Sequence, residues 1–582
     1  MSIIKDLEKD IKNIIEKAGY NLEKFTLQPS SRPDLGDYQI NDAMSLAKTY
    51  HKNPHEIAED IKNELEKDAR FTNLNIAGPG FINITLTDEY LRKLLNMINT
   101  DVNVVIDKRE KKKVILDYGG ANVAKALHVG HLRSANIGEA LKRLAILLGY
   151  EVLGDAHLGD YGRPLGLVVL EIKKRYPNLP YFDETYTGNY QEIELPITND
   201  DLEQIYPEAS RKSKEDEAYL EEARDITAKI QNHVPGYYDV WKKVVEISKA
   251  DIKKVYDLLN VHFELWQGES DAAEYFEELE KIYEDANVLV NSNGAKIVEV
   301  KEETDKSPMP PLLFVKSNGT LSYETTDLAT ILERKKNYNP DEIWYCTDAR
   351  QELHFIQVFR AARKANLVDE NTKLDWFGFG TMNGKDGKPF KTRDGGVMSL
   401  KGLIQLVKEE TLKRINEETV SKEEKDQVAE TIAIATLKYA DFLPYRGTDY
   451  IFEVEKFADL EGKTGPYLLY STIRMKSLLN RAKDLRKEEV KEITTQSEKD
   501  IILTLLNLSQ VLNKSLDARS LNDIAEYIYK LTSQYNKFYA EHKIITEENA
   551  DIRESWLVLT KTVYNINMLL LNTLGISVPE KM

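Results

Sequence analysis

Residues 113 to 149 constrain the fold of this chain more than any other stretch. An apolar segment, Lys113-Val114-Ile115-Leu116-Asp117-Tyr118, runs into Gly119-Gly120, and His128-Val129-Gly130-His131 follows. Apolar residues then recur at helical spacing up to Gly149, namely Ile137, Leu141, Leu144 and Leu148. The pattern predicts a strand, a glycine-containing turn and a long helix, with both histidines at the helix N-terminus.

The N-terminus of a helix suits a phosphate group, because free backbone N–H groups and the positive end of the helix dipole both favour an anion. Gly130 has no side chain, so a flat ring can pack directly on the backbone there. His128 and His131 can direct imidazole donors at the same phosphate oxygens. The segment therefore predicts a binding site for an adenine nucleotide.

Two other interpretations of the histidines are a chance pair and a pair of metal ligands. A structural zinc ion needs about four protein ligands. The only cysteine, Cys346, has no sequence neighbour that completes such a set. We therefore expect no structural metal.

Three segments together resemble the arginyl-tRNA synthetases, a family of class I aminoacyl-tRNA synthetases. They are Asn122-Val123-Ala124-Lys125, then His128-Val129-Gly130-His131-Leu132-Arg133-Ser134, and finally His157-Leu158-Gly159-Asp160-Tyr161-Gly162. The alternation of strands and helices from 111 to about 172 independently predicts a parallel sheet covered by helices. The resemblance extends over essentially the whole chain.

The resemblance implies an α/β protein of three domains. We expect an N-terminal α/β tRNA-binding domain at 1–108 and a Rossmann-type catalytic domain with a parallel sheet at 109–415. Irregular and then charged helical sequence at about 175–265 predicts an insertion into the catalytic domain. Helical periodicity from about 430 agrees with an all-α anticodon-binding domain at 416–582.

Composition limits how such a chain meets its partners. The net charge of -18 argues against diffuse electrostatic binding of nucleic acid, so tRNA contacts should depend on local basic patches and shape. One cysteine excludes intrachain disulfides and suits a reducing cytoplasm. No long apolar run and no signal-peptide pattern at the start are found, so we expect a cytoplasmic protein without membrane contact.

A second group of residues comprises Tyr323-Glu324-Thr325-Thr326-Asp327 with Gln351 and His354. Taken alone, Asp327 could simply cap the helix predicted after it. The resemblance instead implies an arginine site, and a planar guanidinium with five donors does require carboxylate and neutral acceptors. The residues expected to bind arginine are Asp117, Gly120, Ala121, Asn122, His131, Tyr323, Asp327 and Gln351.

A third segment, from Gly384 to Gly396, combines glycines with basic side chains and predicts a mobile phosphate clamp. The alternative is an exposed basic hairpin. Class I synthetases carry a Lys-Met-Ser-Lys-Ser loop here, whereas this chain has Phe390 where a lysine is expected. The resemblance implies that a lysine upstream of the first signature, here Lys125, compensates for this departure.

Two sets of residues follow for the nucleotide. ATP is expected to bind at His128, Gly130, His131, Lys388, Lys391 and Arg393. Catalysis is expected to use Lys125, His128, His131, Lys391 and Arg393. Because the loop departs from the family pattern, the separate roles of Lys388, Lys391 and Arg393 stay open.

The segment from Lys463 to Lys476 resembles the helix that faces tRNA in the family. Aromatic and arginine side chains can stack on unpaired bases or contact phosphates. The residues expected to bind tRNA are Tyr467, Tyr470 and Arg474.

The resemblance implies ATP-dependent ligation of L-arginine to its tRNA through an arginyl-adenylate, with release of pyrophosphate and AMP. ATP is a substrate and is expected to bring Mg²⁺, and we expect a monomer. Two alternatives are a small-molecule nucleotidylyltransferase that uses the same histidine turn and a catalytically silent tRNA-binding relative. The first leaves the helical C-terminal region and the Tyr323, Asp327 and Gln351 group unexplained. The intact His128, His131 and Asp327 argue against the second.

Overall fold

The structure is a computed structural model and describes residues 2–30, 32, 34–317, 319–390, 398–415 and 420–582. The chain forms two compact units. The first unit contains Met1–Arg109, Thr411–Tyr439 and Phe457–Met582. The second unit contains Glu110–Glu410 and Ala440–Lys456. The predicted division into 1–108, 109–415 and 416–582 stays a prediction.

The N-terminal part of the first unit packs helices against an antiparallel sheet, which has the strand order β1-β2-β4-β3 among the described residues. Helix α1 begins after Ser2, whose hydroxyl accepts the N–H of Lys5, and it buries its apolar stripe. The helices are α1 (Ile3–Lys17), α2 (Ala43–Tyr50), α3 (Pro54–Leu65) and α4 (Asp88–Thr100). The strands are β1 (Gln28–Pro29), β2 (Tyr38–Ile40), β3 (Phe71–Ala77) and β4 (Phe81–Leu86).

The second unit contains the parallel sheet that the sequence predicts, together with a small antiparallel sheet. Its strands in the described residues are β5 (Lys113–Asp117), β6 (Glu151–Asp155), β7 (Leu289–Ser292), β8 (Ala295–Val298), β9 (Leu312–Val315), β10 (Glu342–Asp348), β11 (Lys373–Phe379), β12 (Met382–Asn383) and β13 (Tyr450–Ile451). The parallel sheet has the order β11-β10-β5-β6. Its central strands are apolar and buried on both faces, as expected for a sheet covered by helices.

Strand order reverses between β5 and β10. From β5 the chain crosses to β6 on one side, whereas β10 pairs with β5 on the other side. Loops that leave the carboxyl ends of β5 and β10 therefore diverge and leave a crevice between them, which is where ligands bind in open α/β sheets. The fold class predicted for this part of the chain is confirmed.

Helices cover this sheet, and most of them lie in the part of the chain between β6 and β10. They are α5 (Val129–Leu147), α6 (Arg163–Arg175), α7 (Asn199–Glu215), α8 (Glu217–Gln231), α9 (Tyr237–Leu258), α10 (Glu269–Ala272), α11 (Phe276–Asp285), α12 (Tyr323–Tyr338), α13 (Glu352–Lys364) and α14 (Leu400–Leu412). The predicted helix after the histidine turn is α5, and Gly149 follows it with a φ of 103° that suits glycine. The insertion expected at about 175–265 spans α7, α8 and α9.

The C-terminal part of the chain is helical, as predicted. Its helices are α15 (Lys422–Phe442), α16 (Val454–Phe457), α17 (Gly465–Arg481), α18 (Gln496–Leu506), α19 (Leu508–Ala518), α20 (Asn522–Glu541) and α21 (Ala550–Thr573). Helix α17 begins against α15, because a Cβ atom at Gly465 would lie 2.5 Å from the carbonyl oxygen of Ala435. None of the helices in the described ranges is long and apolar enough to cross a membrane.

Candidate active site

A cavity of about 330 Å³ lies at the carboxyl ends of β5 and β10 in the second unit. The sequence analysis predicts residues that bind the nucleotide or arginine, and all but two of those that the structure describes line this cavity. Those that line it are Asp117, Gly120, Ala121, Asn122, His128, Gly130, His131, Tyr323, Asp327 and Gln351. Lys125 and Lys388 do not line it, and Lys391 and Arg393 lie outside the described residues.

The histidine turn fixes both rings through the backbone. The N–H of His128 donates to Nδ1 of His131 at 3.0 Å, and the N–H of Gly130 donates to Nδ1 of His128 at 3.1 Å. His128 is the N-cap residue of α5, so the two imidazoles satisfy N–H groups at the start of the helix. Since each Nδ1 accepts a hydrogen bond, a neutral ring carries its hydrogen on Nε2.

Both histidines are held neutral. Burial is the main cause that lowers the pKa of His131, to about 3, and the charges of His128 and Lys125 lower it further. Burial also lowers the pKa of His128, with smaller contributions from Lys125 and Arg350. At neutral pH the pair therefore presents two Nε2–H donors without positive charge of its own.

Gly130 is required by the histidine beside it. A Cβ atom at this position would lie 2.8 Å from Cε1 and 2.9 Å from Nδ1 of His128. The ring that packs on the glycine backbone is thus the side chain of His128 itself. Any larger residue would displace this imidazole and its bond to the helix N-terminus.

Lys125 and Lys388, which the sequence analysis predicts to act at the phosphates, do not line the cavity. The ammonium of Lys125 is 4.4 Å from the ring centroid of Tyr206, a cation–π contact with helix α7. Lys388 is exposed in a tight turn in which the N–H of Gly384 donates to its carbonyl oxygen at 2.8 Å. In the described residues this part of the segment is the exposed basic hairpin given above as the alternative.

The chain that follows this segment returns to the histidine turn. The N–H of Val129 donates to the carbonyl oxygen of Met398 at 3.3 Å, and the N–H of Leu400 donates to that of Leu127 at 2.8 Å. Residues 398 to 400 are therefore anchored beside His128. This anchor holds the first described residues after the glycine-rich segment next to the imidazole pair.

Asp327 does not cap a helix. Helix α12 begins at Tyr323 after the N-cap Ser322, so Asp327 lies inside the helix and the capping alternative is wrong. Its Oδ2 is 2.6 Å from Nε2 of His354. Burial lowers the pKa of His354, but the hydrogen bond and charge of Asp327 outweigh it and the net shift is upward.

Tyr323 and Gln351 lie at the same end of the cavity. The ring of Tyr323 is 58% exposed, and its centroid is 5.5 Å from that of His354. Gln351 ends the turn that leads into α13. Both can therefore reach a ligand whose charged end lies at Asp327.

Asp117 has a partner that the sequence analysis did not anticipate. Its Oδ2 accepts a hydrogen bond from Nη2 of Arg334 at 2.6 Å, and the same nitrogen donates to Oδ2 of Asp155 at 2.7 Å. Arg334 is completely buried. Asp117 lines the cavity but shares its carboxylate with the protein's own guanidinium.

Asp117, Asp155 and His157 offer possible metal-ligand atoms within 4.8 Å of one another. Nη2 of Arg334 already donates to both carboxylates, and a second cation there would meet its charge at close range. This group therefore gives no support for a metal site. The expected absence of a structural metal stays a prediction.

The loop that carries Asn122 is held by the loop after β6. The N–H of Val123 donates to the carbonyl oxygen of Gly159 at 3.1 Å, and the N–H of Gly159 donates to that of Ala121 at 2.9 Å. A Cβ atom at Gly159 would lie 2.5 Å from Oδ1 of Asn122. The close approach requires glycine and fixes Asn122 at the cavity.

Thr326 and His354, which the sequence analysis names in its second group without a binding role, also line the cavity. Several other lining residues were missed by the sequence analysis as site residues: Tyr118, Ser134, His157, Gly159, Glu269, Tyr345, Cys346, Thr347, Asp348, Arg350, Phe355 and Phe379. A usable signal existed for some of them. Asp348 and Phe379 are the last residues of β10 and β11, and the carboxyl ends of parallel strands meet at the ligand crevice. Glu269 offers no such signal, because it follows the insertion and reaches the cavity only through the tertiary fold.

The residues expected to contact tRNA lie on α17 in the first unit. They differ in their solvent exposure and in their contacts with other side chains. Tyr470 is 46% exposed. Nδ2 of Asn536 donates to the hydroxyl of Tyr467 at 2.8 Å, and Arg474 donates to Oδ1 of Asn536. The guanidinium of Arg474 also lies 4.7 Å from the ring centroid of Tyr539. Tyr470 is therefore the most accessible of the three.

Family models match three parts of the chain. Residues 93–454 match the catalytic domain described as tRNA synthetases class I (R). Residues 5–86 match the arginyl tRNA synthetase N terminal domain, and residues 468–582 match the DALR anticodon binding domain.

Individual relatives agree with these models. The chain is 43% identical to an arginine–tRNA ligase of Alkaliphilus oremlandii and 41% identical to one of Agathobacter rectalis, with 100% of each chain covered in both cases. Among solved structures, arginyl-tRNA synthetase from Plasmodium falciparum has a TM-score of 0.79 at 26% identity, covering 100% of this chain and 99% of that one. The resemblance found in the sequence is confirmed: this chain belongs to the arginyl-tRNA synthetase family of class I aminoacyl-tRNA synthetases.

Proposed function

We propose that this protein ligates L-arginine to its tRNA in two steps that share the cavity at β5 and β10. The observation that carries the proposal is that one cavity holds two neutral imidazole donors, at His128 and His131, and the carboxylate of Asp327. Donors without charge suit phosphate oxygens, and a carboxylate suits a guanidinium. An arginyl-adenylate carries both kinds of group.

Arginine binds at the acidic side of the cavity. Asp327 and the free oxygen of Asp117 accept hydrogen bonds from the guanidinium, and Tyr323 contributes a neutral acceptor. Asn122 and Gln351 hold the α-amino and α-carboxylate groups, with Gly120 and Ala121 lining the path between them. Each charged hydrogen bond is worth roughly 1.5 to 3 kcal/mol, so an uncharged analogue such as citrulline is rejected by about 10³ or more.

ATP binds with its phosphates at the start of α5, where His128, Gly130 and His131 lie. A carboxylate oxygen of arginine attacks the α-phosphorus, the bond to the bridging oxygen breaks, and pyrophosphate leaves. The Nε2–H groups stabilise the negative charge that develops on the phosphate oxygens. The 2'-hydroxyl of the terminal adenosine of tRNA then attacks the arginyl carbonyl carbon, and AMP leaves.

The basic segment completes the nucleotide site. Residues 398 to 400 are anchored beside His128, which supports a role for Lys391 and Arg393 at the phosphates. Lys125 and Lys388 would have to leave their present contacts to join them. Lys125 already acts at a distance, because its charge contributes to the lowered pKa of both His128 and His131.

Mg²⁺ enters with ATP. It prefers an octahedron of oxygen ligands and commonly keeps several waters beside phosphate oxygens. The donors that the histidine turn offers are imidazole N–H groups, which fit phosphate rather than a cation. The described residues of the histidine turn would therefore leave the ion to the nucleotide, where it would offset the charge of the phosphates.

ATP–pyrophosphate exchange tests the proposal. Exchange is expected with arginine and not with lysine or citrulline, and the family resemblance implies that it depends on bound tRNA. The assay is therefore run with and without tRNA. Exchange under neither condition would leave the chain as a tRNA-binding relative without activity. The predicted monomer and cytoplasmic location are separate and are tested by sedimentation and by fractionation.

A further inference from the structure

Arg334 is the least expected part of this cavity, because it brings a second guanidinium to a site for arginine. It lies on α12 with its side chain completely buried. Nη2 is 2.6 Å from Oδ2 of Asp117 and 2.7 Å from Oδ2 of Asp155. These contacts join α12 to the ends of β5 and β6. Arg334 therefore touches the carboxylate that lines the cavity without lining the cavity itself.

The hydrogen bonds of Arg334 are incomplete. Its Nε and Nη1 are buried and have no hydrogen-bond partner, and neither does the hydroxyl of nearby Tyr345. Burying an arginine with unpaired donors is costly, so packing alone is a poor reason for it. Arg133 on α5 has one such nitrogen, Nη2, where Arg334 has two, since its Nε donates to Asp441 and its Nη1 donates to the carbonyl oxygen of Thr448. What Arg334 supplies is a charge shared between two carboxylates.

Asp117 depends on that charge. Burial is the main cause that raises the pKa of Asp117, and the charge of Asp155 adds to the rise. The charges of Arg334 and His157 oppose it, and the net shift is upward. The hydroxyls of Tyr323 and Tyr345 and the thiol of Cys346 also interact with Asp117. None of these three carries a positive charge, so Arg334 and His157 are the cations that favour the ionised form of this carboxyl group.

His157 pairs with Asp155. Its Nδ1 lies 3.4 Å from Oδ2 of Asp155. Burial lowers the pKa of His157, but the hydrogen bond and charge of Asp155 raise it to about 9. Arg334 is thus the one cation in this group that donates directly to Asp117.

We propose that Arg334 is a positioning residue for arginine recognition, whose charge favours the carboxylate form of Asp117 and whose hydrogen bond fixes it with one oxygen bound to the protein and the other free for the substrate. This inference rests on the proposed function. The protein's guanidinium takes one edge of the carboxylate and the substrate's guanidinium takes the other. Lysine, a compact point charge without a planar fork, would use the same arrangement poorly.

The test is the pH dependence of arginine recognition in Arg334→Gln. Without the cation, Asp117 takes up a proton as pH falls, so the arginine KM rises relative to wild type by about tenfold near pH 6 and by about threefold or less near pH 8.5. The ATP KM is expected to stay unchanged. Arg334→Lys restores the charge and is expected to recover most of the affinity near pH 6.

Lys335→Gln is the matched control. Lys335 is the next residue on α12 and also carries a positive charge, but its ammonium pairs with Asp369 and not with Asp117. Its arginine KM is expected to follow the wild-type pH profile. Equal rises of the arginine and ATP KM values at every pH in Arg334→Gln, with no recovery in Arg334→Lys, would show a structural role and overturn the inference.

A measurement on the wild-type chain covers the case in which the Arg334 variants do not fold. The infrared band of a protonated carboxyl group, assigned to Asp117 by its loss in Asp117→Asn, is expected to be absent near pH 7. Its presence would overturn the inference. If the wild-type chain shows no exchange with arginine at all, the proposed function itself fails, which is a different result from a normal pH profile in Arg334→Gln.

Discussion

The two sides of the cavity are built in different ways. On the side that we propose for the nucleotide, His128 and His131 lie three residues apart, and both rings are oriented by backbone N–H groups of the same turn. On the side that we propose for arginine, Asp327 pairs with His354 across 27 residues and Asp117 pairs with Arg334 across 217. The first arrangement is made by one local turn, whereas the second needs elements that are far apart in the sequence.

The two sides also control charge in opposite ways. Burial keeps the imidazoles neutral, so they act as hydrogen-bond donors. Basic partners at the other end, His354 at Asp327 and Arg334 at Asp117, contact the carboxylates. Replacements on the nucleotide side should therefore change the rate of adenylation, and replacements on the arginine side should change affinity and its pH dependence.

The largest effect is expected for His128→Asn. Asparagine is a good N-cap residue and can keep the acceptor for the N–H of Gly130, but it lacks the distant Nε2–H donor. The rate of ATP–pyrophosphate exchange should fall by about 10² to 10³, as for loss of one donor to a developing oxyanion. Arginine affinity, measured by calorimetry, serves as the control and should change little. A loss of arginine affinity without a loss of exchange rate would mean that His128 acts on arginine rather than on the nucleotide.

Asp327→Asn should have the next largest effect. Removing the charge opposite the guanidinium should raise the arginine KM by roughly 10- to 100-fold, since a charged hydrogen bond contributes about 1.5 to 3 kcal/mol. The ATP KM should remain as in wild type. Steady-state exchange at varied arginine and varied ATP concentrations measures the two KM values. Equal changes in both would mean that Asp327 stabilises the fold and does not bind arginine specifically.

Tyr470→Ala sharpens the comparison, because it should affect neither side. Tyr470 is exposed on α17, and base stacking on a tyrosine is worth about 1 to 3 kcal/mol. The tRNA KM should rise by roughly fivefold or more while arginine and ATP KM values stay constant. Arg474→Ala should weaken tRNA binding with a reduced dependence on salt. Normal tRNA KM values in both variants would show that this helix faces elsewhere.

The smallest effect is expected for His354→Gln and appears in the pH profile. Because the pKa of His354 is raised, the ring is protonated below that pKa and offsets the charge of Asp327. Above it the ring is neutral and Asp327 is fully available, so the wild-type arginine KM should fall by roughly threefold as pH rises. The variant cannot titrate here and should give a flat profile. A wild-type profile retained in the variant would assign the titration to another group.

The sequence predicted the fold and the position of the histidine pair at the start of α5, because both depend on short-range patterns. The run from Lys113 to Gly149 specifies strand, turn and helix, and the histidine pair follows from it. The role of Asp327 could not be fixed in the same way. A carboxylate before an apolar run fits a cap as well as a pocket, and only the true start of α12 at Tyr323 distinguishes them.

The roles of Arg334 and Glu269 could not be predicted from the sequence, for a related reason. An arginine in a helix and a glutamate after an insertion have no local pattern that marks them. Their importance comes from the strand order β11-β10-β5-β6, which brings α12 and the loop after the insertion to the carboxyl ends of β5 and β6. The glycine-rich segment is a third case, since Lys391 and Arg393 lie outside the described residues and their predicted roles stay predictions.

The most direct test is a crystal structure of the protein with a non-hydrolysable arginyl-adenylate analogue. The account predicts the phosphate substitute within hydrogen-bond distance of Nε2 of His128 or His131, and the guanidinium on the carboxylates of Asp327 and Asp117. A guanidinium bound away from both carboxylates, or a phosphate substitute away from both imidazoles, would contradict it.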